Sequence, residues 1–324
     1  MLLNVLFLII GIALILGGAN YLTDGASAVA KKWGISDLVI GLTIVAFGTS
    51  APELVISVMS AMKGSGGLAI GNVVGSNIFN ILVIVGCVAL VSPIKVQKSY
   101  MTNEIPLVIL SSLVLLICAN GVLLDGEAVN TVGRVDGLLM LLFFAIFMRY
   151  TLSIASNTAD GTSSGQPADE VKPMKMWLAT VCVIGGLGAL VWGGDLFVKG
   201  ASGIARGLNV SESVIGLTIV AAGTSLPDLA ASVAAALKHK PGLAVGNIVG
   251  SNIFNIFFVL GVSSTVHPLQ LGDITNVDFL VLTAASILFW IFGWLFKHRT
   301  ITRIEGAVLV ACFIAYTIYL VANA

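Results

Sequence analysis

The sequence is short of charge. Of its 324 residues only 16 are lysine or arginine and 16 are aspartate or glutamate, 10% together, whereas 57% are hydrophobic. A water-soluble globule of this size covers itself with far more polar side chain, so the composition excludes a soluble domain and calls for a lipid bilayer as partner. The formal net charge of zero leaves no basic face for nucleic acid. Cys87, Cys118, Cys182 and Cys312 lie singly in apolar runs, without CxxC spacing or Cys/His clustering, and read as small buried hydrophobes rather than a redox or zinc motif. Histidine is equally scarce: His239 and His267 fall in loops and His298 near a helix end, too far along the chain from the polar stretches described below to serve them.

What the chain has instead is long apolar runs. A spanning helix needs about 20 predominantly apolar residues, and on that ruler the sequence predicts ten. They fall at 1–22, 37–62, 67–91, 104–120 and 134–154, then 176–197, 212–237, 242–264, 275–296 and 302–322. The opening run MLLNVLFLIIGIALILGGAN lacks the basic start of a signal peptide, and a shift of 175 lays it on the internal run Met176–Asp195, so it is read as a helix. Between the fifth and sixth runs, 156–175 gathers Ser, Gly, Pro and acids and reads as a flexible linker between a first half at 1–155 and a second at 176–324.

Lysine and arginine are retained in cytoplasmic loops. Loops after the odd-numbered runs carry twelve of them: Lys31, Lys32, Lys95, Lys98, Arg149, Lys172, Lys175, Lys238, Lys240, Lys297, Arg299 and Arg303. The other side carries Lys63, Arg134, Lys199 and Arg206. Both termini are therefore expected outside and the linker in the cytoplasm, in a multi-pass protein of the plasma (inner) membrane.

The two halves repeat one another. From Gly41 to Gly86 against Gly216 to Gly261, a shift of 175 without a gap, 29 of 46 positions are identical. Five spans per half is an odd number, so the second copy enters the membrane in the opposite sense. The expected fold is an all-α integral membrane protein of two inverted five-helix repeats, the architecture of secondary transporters.

Each repeat places an acid just after a proline near the middle of its second span: Glu53 after Pro52 and Asp228 after Pro227. A charge at that depth costs at least about 2.5–3.5 kcal/mol, and no basic residue lies nearby at membrane depth to pair with either acid. Protons or metal cations are the remaining counter-charges. Each proline withholds a backbone donor and frees carbonyls in the preceding turn, around Ala46–Thr49 and Ala221–Thr224, so helices 2 and 7 are expected to be broken. Thr49, Ser50, Thr224 and Ser225 precede the prolines, and Ser57 and Ser232 follow the acids by four residues. In the next span Asn72, Ser76 and Asn80, with Asn247, Ser251 and Asn255, form polar stripes at a spacing of four. Carboxylate, hydroxyl, amide and carbonyl oxygens without His or Cys suit hard cations such as Ca²⁺ and Na⁺.

The pairs GTSAPEL with GNVVGSNIFN and GTSLPDL with GNIVGSNIFN resemble the paired α-repeats of the sodium/calcium exchanger family, and the ten-helix layout extends the likeness over nearly the whole chain outside the linker. The resemblance implies exchange of Ca²⁺ for Na⁺ by alternating access, with helices one and six sliding past the rest. Glu53 and Asp228 would be the central ligands. Ala46, Ala221, Thr49 and Thr224 would give backbone carbonyls, Ser50, Ser225, Ser76 and Ser251 hydroxyls, and Asn80 and Asn255 would close the middle of the site. Aspartate stands at 228 where many prokaryotic members carry glutamate, and asparagine at 255 where members that co-transport K⁺ carry aspartate, which argues against K⁺ dependence.

Three other readings are available. Ca²⁺/H⁺ exchange uses the same carboxylates, but the hydroxyls of the GTS segments favour Na⁺. An intramembrane aspartyl protease would need a GxGD arrangement that the sequence lacks, and a cation channel would need no counter-ion. The expectation is a transporter rather than an enzyme, with no cofactor and no obligate protein partner.

Overall fold

The computed structural model describes residues 2–124, 126, 128–159, 174–208, 221–295 and 299–323. Eight helices among them are long and apolar enough to cross a membrane: α1 Leu2–Trp33, α4 Gly66–Val91, α5 Tyr100–Cys118, α6 Arg134–Ala155, α7 Met176–Gly207, α9 Pro241–Val266, α10 Asn276–Trp294 and α11 Arg303–Ala322. A further pair, α2 Asp37–Thr49 and α3 Ala51–Met62, is bent by 46° at Ser50 and passes the same test only when joined. The shorter apolar helix α8 Leu226–Leu237 follows a four-residue helical piece, Ala221–Thr224. The chain is thus a multi-pass, helical membrane protein. The run expected at 212–237 falls partly on 209–220, and the linker expected at 156–175 mostly on 160–173, outside the described residues.

Helices α1 and α7 extend about three turns beyond the sequence-based ends at 22 and 197. The length ruler counts apolar residues only, whereas helix propensity continues through Thr23–Trp33. Lys31 and Lys32 occupy the last turn of α1, where cations favour the helix dipole. Gly34 then ends the helix at φ +67, and the Ile35 N–H closes onto the Ala30 carbonyl at 3.0 Å, a left-handed glycine cap.

The chain forms two compact units, each drawing on both halves of the sequence: Met1–Pro52 with Arg149–Asn247, and Glu53–Met148 with Ile248–Ala324. In the first unit α1 and α7 pair antiparallel along a glycine seam. A Cβ added at Gly11 would lie 2.8 Å from the Gly193 carbonyl, one at Gly18 2.8 Å from that of Gly186, and one at Gly25 2.8 Å from that of Ala179. Seen from α7, Gly186, Gly193 and Gly200 meet α1 backbone in the same way. Two rows of glycine at spacing seven, displaced from each other by 175, let two backbones touch, which is how small residues join helices in lipid. Lys238 ties the end of α8 to α1 through the Asp24 carboxylate at 2.8 Å and the Asn20 carbonyl at 2.9 Å.

In the second unit two short strand pairs join chain segments far apart in sequence. β1 Ile94–Lys95 pairs antiparallel with β4 Thr300–Ile301, and β2 Thr131–Val132 with β3 Leu269–Gln270. Ser112 on α5 and Ser286 on α10 share a hydrogen bond at 3.1 Å, and the Trp290 indole donates to the Met101 carbonyl at 2.9 Å. The most buried spans are α4 and α9, with 78% and 94% of their apolar windows inside the protein. Their polar stripes therefore face protein and not lipid, the condition under which such groups are tolerated at membrane depth.

Candidate functional site

The helix break recurs at equivalent positions. Ser50 has φ −83 and ψ 1, and Ser225 has φ −89 and ψ 1, the sparsely populated bridge region between helix and strand. Pro52 and Pro227 each lie two residues further on, where the ring removes one donor and crowds the preceding turn. The local hydrogen bonds differ between the copies. The Ser50 N–H donates to the Ala46 carbonyl at 3.0 Å, whereas the Ser225 N–H turns to the Ala222 carbonyl at 3.2 Å. The Thr49 hydroxyl lies 3.3 Å from the same Ala46 carbonyl, which thus keeps its backbone donor despite the nearby proline. The Ser50 and Ser225 hydroxyls are buried and have no hydrogen-bond partner among the described residues.

The first unit holds the Asp228 half-site. Asp228 is 0% exposed, in the first turn of α8. Asn247 on α9 organises its surroundings: its Nδ2 donates to the Asp228 carbonyl at 3.3 Å, to Asp228 Oδ1 at 3.3 Å and to Ser232 Oγ at 3.0 Å. Its own Oδ1 accepts from the Thr49 hydroxyl at 3.1 Å, and that hydroxyl also reaches the Val45 carbonyl at 2.9 Å. One amide thus binds the helix break before Glu53 to the acid of the other repeat.

The second unit holds the Glu53 half-site, built on the same plan. Glu53 is also 0% exposed. Asn72 on α4 donates to the Glu53 carbonyl at 3.3 Å and to Ser57 Oγ at 3.0 Å, and the Ser57 hydroxyl donates to the Ala69 carbonyl at 3.4 Å. At the carboxylates, the Ser76 hydroxyl donates to Glu53 Oε1 at 3.4 Å, and Asp228 Oδ1 accepts from the Asn247 amide at 3.3 Å.

Beyond the acids, Asn80 and Asn255 are fully buried where the helices widen. Asn80 opens a π-helical stretch, Asn80–Ile84, and Asn255 lies in another, Phe254–Leu260. Such wide turns recur at functional positions. Ser76 and Ser251 are buried one turn earlier, while Thr224 is only half-buried. Among the described residues, Glu53, Ser76, Asn80, Ser251 and Asn255 belong to the second unit, and Ala46, Thr49, Ser50, Ala221, Thr224, Ser225 and Asp228 to the first.

Two buried residues in this region escape a reading based on spacing alone. Asn77 and Asn252, also 175 apart, stand one position past the serines of the polar stripes. The Asn77 amide donates to the Asn252 carbonyl at 3.1 Å, and the Asn255 amide donates to Asn77 Oδ1 at 3.0 Å. The available signal was their repetition inside GSNIFN.

Comparison with known proteins identifies the family of the chain. The family described as "Sodium/calcium exchanger protein" matches residues 3–153 and 178–322. The sodium/calcium exchanger MaX1 of Methanosarcina acetivorans is 32% identical over 98% of this chain and 98% of its own. The inner membrane protein YrbG of Escherichia coli is 34% identical over 91% of this chain and 90% of its own. Among solved structures, the sodium-calcium exchanger NCX_Mj superposes with a TM-score of 0.82 at 32% identity, over 97% of this chain and 98% of that one. With matches that run through both halves, the chain belongs to the sodium/calcium exchanger family.

Proposed function

We propose that the protein is a secondary active antiporter that exchanges Ca²⁺ for Na⁺ across its membrane by alternating access. The observation that carries this reading is the duplicated half-site: Asn72 and Asn247 each bind the backbone carbonyl of a fully buried acid and the serine four residues beyond it. Two buried carboxylates need counter-charge, and hydroxyl and amide oxygens arranged around each suit a hard cation. In this reading Glu53 and Asp228 are shared ligands of both ions. Ser50, Ser225, Ser76 and Ser251 supply hydroxyls, Asn80 and Asn255 amide oxygens, and Ala46, Thr49, Ala221 and Thr224 backbone oxygens. Ca²⁺ neutralises the two carboxylates at once, while Na⁺ competes for the same oxygens, so exchange needs no chemistry on the protein. The Ser50 and Ser225 hydroxyls, buried without a partner among the described residues, favour Na⁺ over H⁺ as the driving ion, since a carboxylate alone suffices to carry a proton.

The reading includes ten spans, as two inverted repeats with helices 2 and 7 broken, both termini outside and the linker in the cytoplasm. The strand pairs support that count. β1 follows the third expected span and β4 the ninth, so their pairing needs an even number of crossings between them, which the expected 212–237 span supplies. β2 and β3, after the fourth and eighth, impose the same parity. Vesicles loaded with Na⁺ test the function: Ca²⁺ uptake should follow an outward Na⁺ gradient, and uptake that ignores Na⁺ but follows a pH gradient would make H⁺ the coupling ion.

A further inference from the structure

Asn255 is an ambiguous ligand on its own, because an amide offers an oxygen to a cation on one side and an NH₂ that repels it on the other. The structure removes the ambiguity in three steps. The Asn252 backbone carbonyl only accepts, so the Asn77 group facing it at 3.1 Å must be the NH₂. Asn77 therefore turns its Oδ1 toward Asn255, and the Asn255 group facing that oxygen at 3.0 Å must in turn be the NH₂. The Asn255 Oδ1 is left pointing away from the pair, buried and without a hydrogen-bond partner among the described residues. All three asparagines are at most 1% exposed, so water does not compete for these groups.

We infer that Asn77 is a positioning residue: anchored on the Asn252 carbonyl, it locks the Asn255 amide so that its oxygen, and not its NH₂, is offered to the transported cation. The assignment rests on the exchange reading above and adds to it a residue that would not itself touch the ion. It is also specific to one copy of the repeat. The equivalent lock would join Asn252 to Asn80, but the Asn252 amide instead donates to the Ile248 carbonyl at 2.7 Å. Asn252 Oδ1 and both polar atoms of the Asn80 side chain have no hydrogen-bond partner among the described residues. A device that merely packed α4 against α9 would have no reason to differ between two nearly identical segments. Of the two repeat-related asparagines, Asn255 thus presents a fixed oxygen, while the protein leaves the orientation of Asn80 open.

The test is a double-mutant cycle on the full chain in vesicles, with Asn77→Ala, Asn255→Ala and the double variant, reading half-saturating Na⁺ and half-saturating Ca²⁺ separately in Na⁺-driven Ca²⁺ uptake. Asn77→Ala should shift half-saturation for the same cation as Asn255→Ala, by about fivefold or more, with a smaller effect on the maximal rate. The double variant should be no worse than Asn255→Ala alone, because Asn77 acts through Asn255. Asn77→Ser keeps a hydroxyl for the Asn252 carbonyl without reaching Asn255, and should reproduce the shift if the alanine variant fails to insert. Wild-type half-saturation in both Asn77 variants, or effects that multiply in the double variant, would overturn the positioning role while leaving the exchange reading intact. Absence of Na⁺-driven uptake in the unmodified protein would overturn the exchange reading and this assignment with it.

Discussion

Replacing Asn247 by alanine should damage Ca²⁺ transport more than the same change at its repeat partner Asn72. Both substitutions remove neutral hydrogen bonds, to a backbone carbonyl and to a serine hydroxyl, at matching distances of 3.3 and 3.0 Å. Among the described residues, only Asn247 of the two also holds an acid's carboxylate, Asp228 Oδ1 at 3.3 Å, and accepts the Thr49 hydroxyl. A hydrogen bond to a charged group contributes about 1.5–3 kcal/mol and a neutral one about 1 kcal/mol. At 3.3 Å the carboxylate bond is long, so the lower end applies. An excess cost of about 1.5 kcal/mol corresponds to about a tenfold larger rise in half-saturating Ca²⁺ for Asn247→Ala. The assay is initial Ca²⁺ uptake into Na⁺-loaded vesicles, normalised to inserted protein. Equal shifts in the two variants, or a larger one for Asn72→Ala, would refute the weight given to the hydrogen bond between Asn247 and the Asp228 carboxylate.

The glycine seam gives a stability prediction with an internal control. A Cβ at Gly186 would lie 2.7 Å from the Leu22 backbone nitrogen, whereas one at Gly185 meets nothing within 4 Å. Gly186→Ala should therefore cost about 1–3 kcal/mol of overpacking, and Gly185→Ala should be neutral or slightly stabilising. Thermal unfolding in detergent separates them, and equal midpoints would contradict the seam. The strand pairs predict cross-links: with the four native cysteines replaced, Lys95→Cys with Thr300→Cys, and Thr131→Cys with Gln270→Cys, should each form a disulfide, because these residues are register partners. After reduction with dithiothreitol, the first pair should react with impermeant thiol reagents from one side of the membrane and the second from the other. Labelling of both from the same side would contradict the ten-span count.

The repeat was legible because both copies must build the same local structure, and a fixed shift of 175 marks every element of it, from the GTS break to the GSNIFN segment. The proline pointed to a broken helix, and α2 and α3 bend at Ser50. What proline does not specify is where the neighbouring N–H groups turn, and the Ser50 N–H keeps the Ala46 carbonyl engaged. Hydropathy could not locate the ends of α1 and α7, since those turns are helical without being apolar. The seam of Gly11, Gly18 and Gly25 against Gly186, Gly193 and Gly200 was present in the sequence as a spacing of seven, but a ruler that counts apolar residues scores glycine only as filler. Asn77 and Asn252 were missed for a different reason. A stripe drawn at every fourth residue selects Asn72, Ser76 and Asn80 and passes over the asparagine beside the serine, whose partner becomes visible only when α4 and α9 are packed.

The central claim is that two buried acids, one from each repeat, are the ligands through which Na⁺ drives Ca²⁺ movement. Its most direct test is Na⁺-driven Ca²⁺ uptake in vesicles carrying the unmodified chain, Glu53→Gln or Asp228→Asn, each isosteric and uncharged. Uptake that follows the Na⁺ gradient in the unmodified chain and is abolished or severely impaired in both variants, with each still inserted in the membrane, is the expected result. Normal exchange in either variant would contradict the claim and remove that residue from the site.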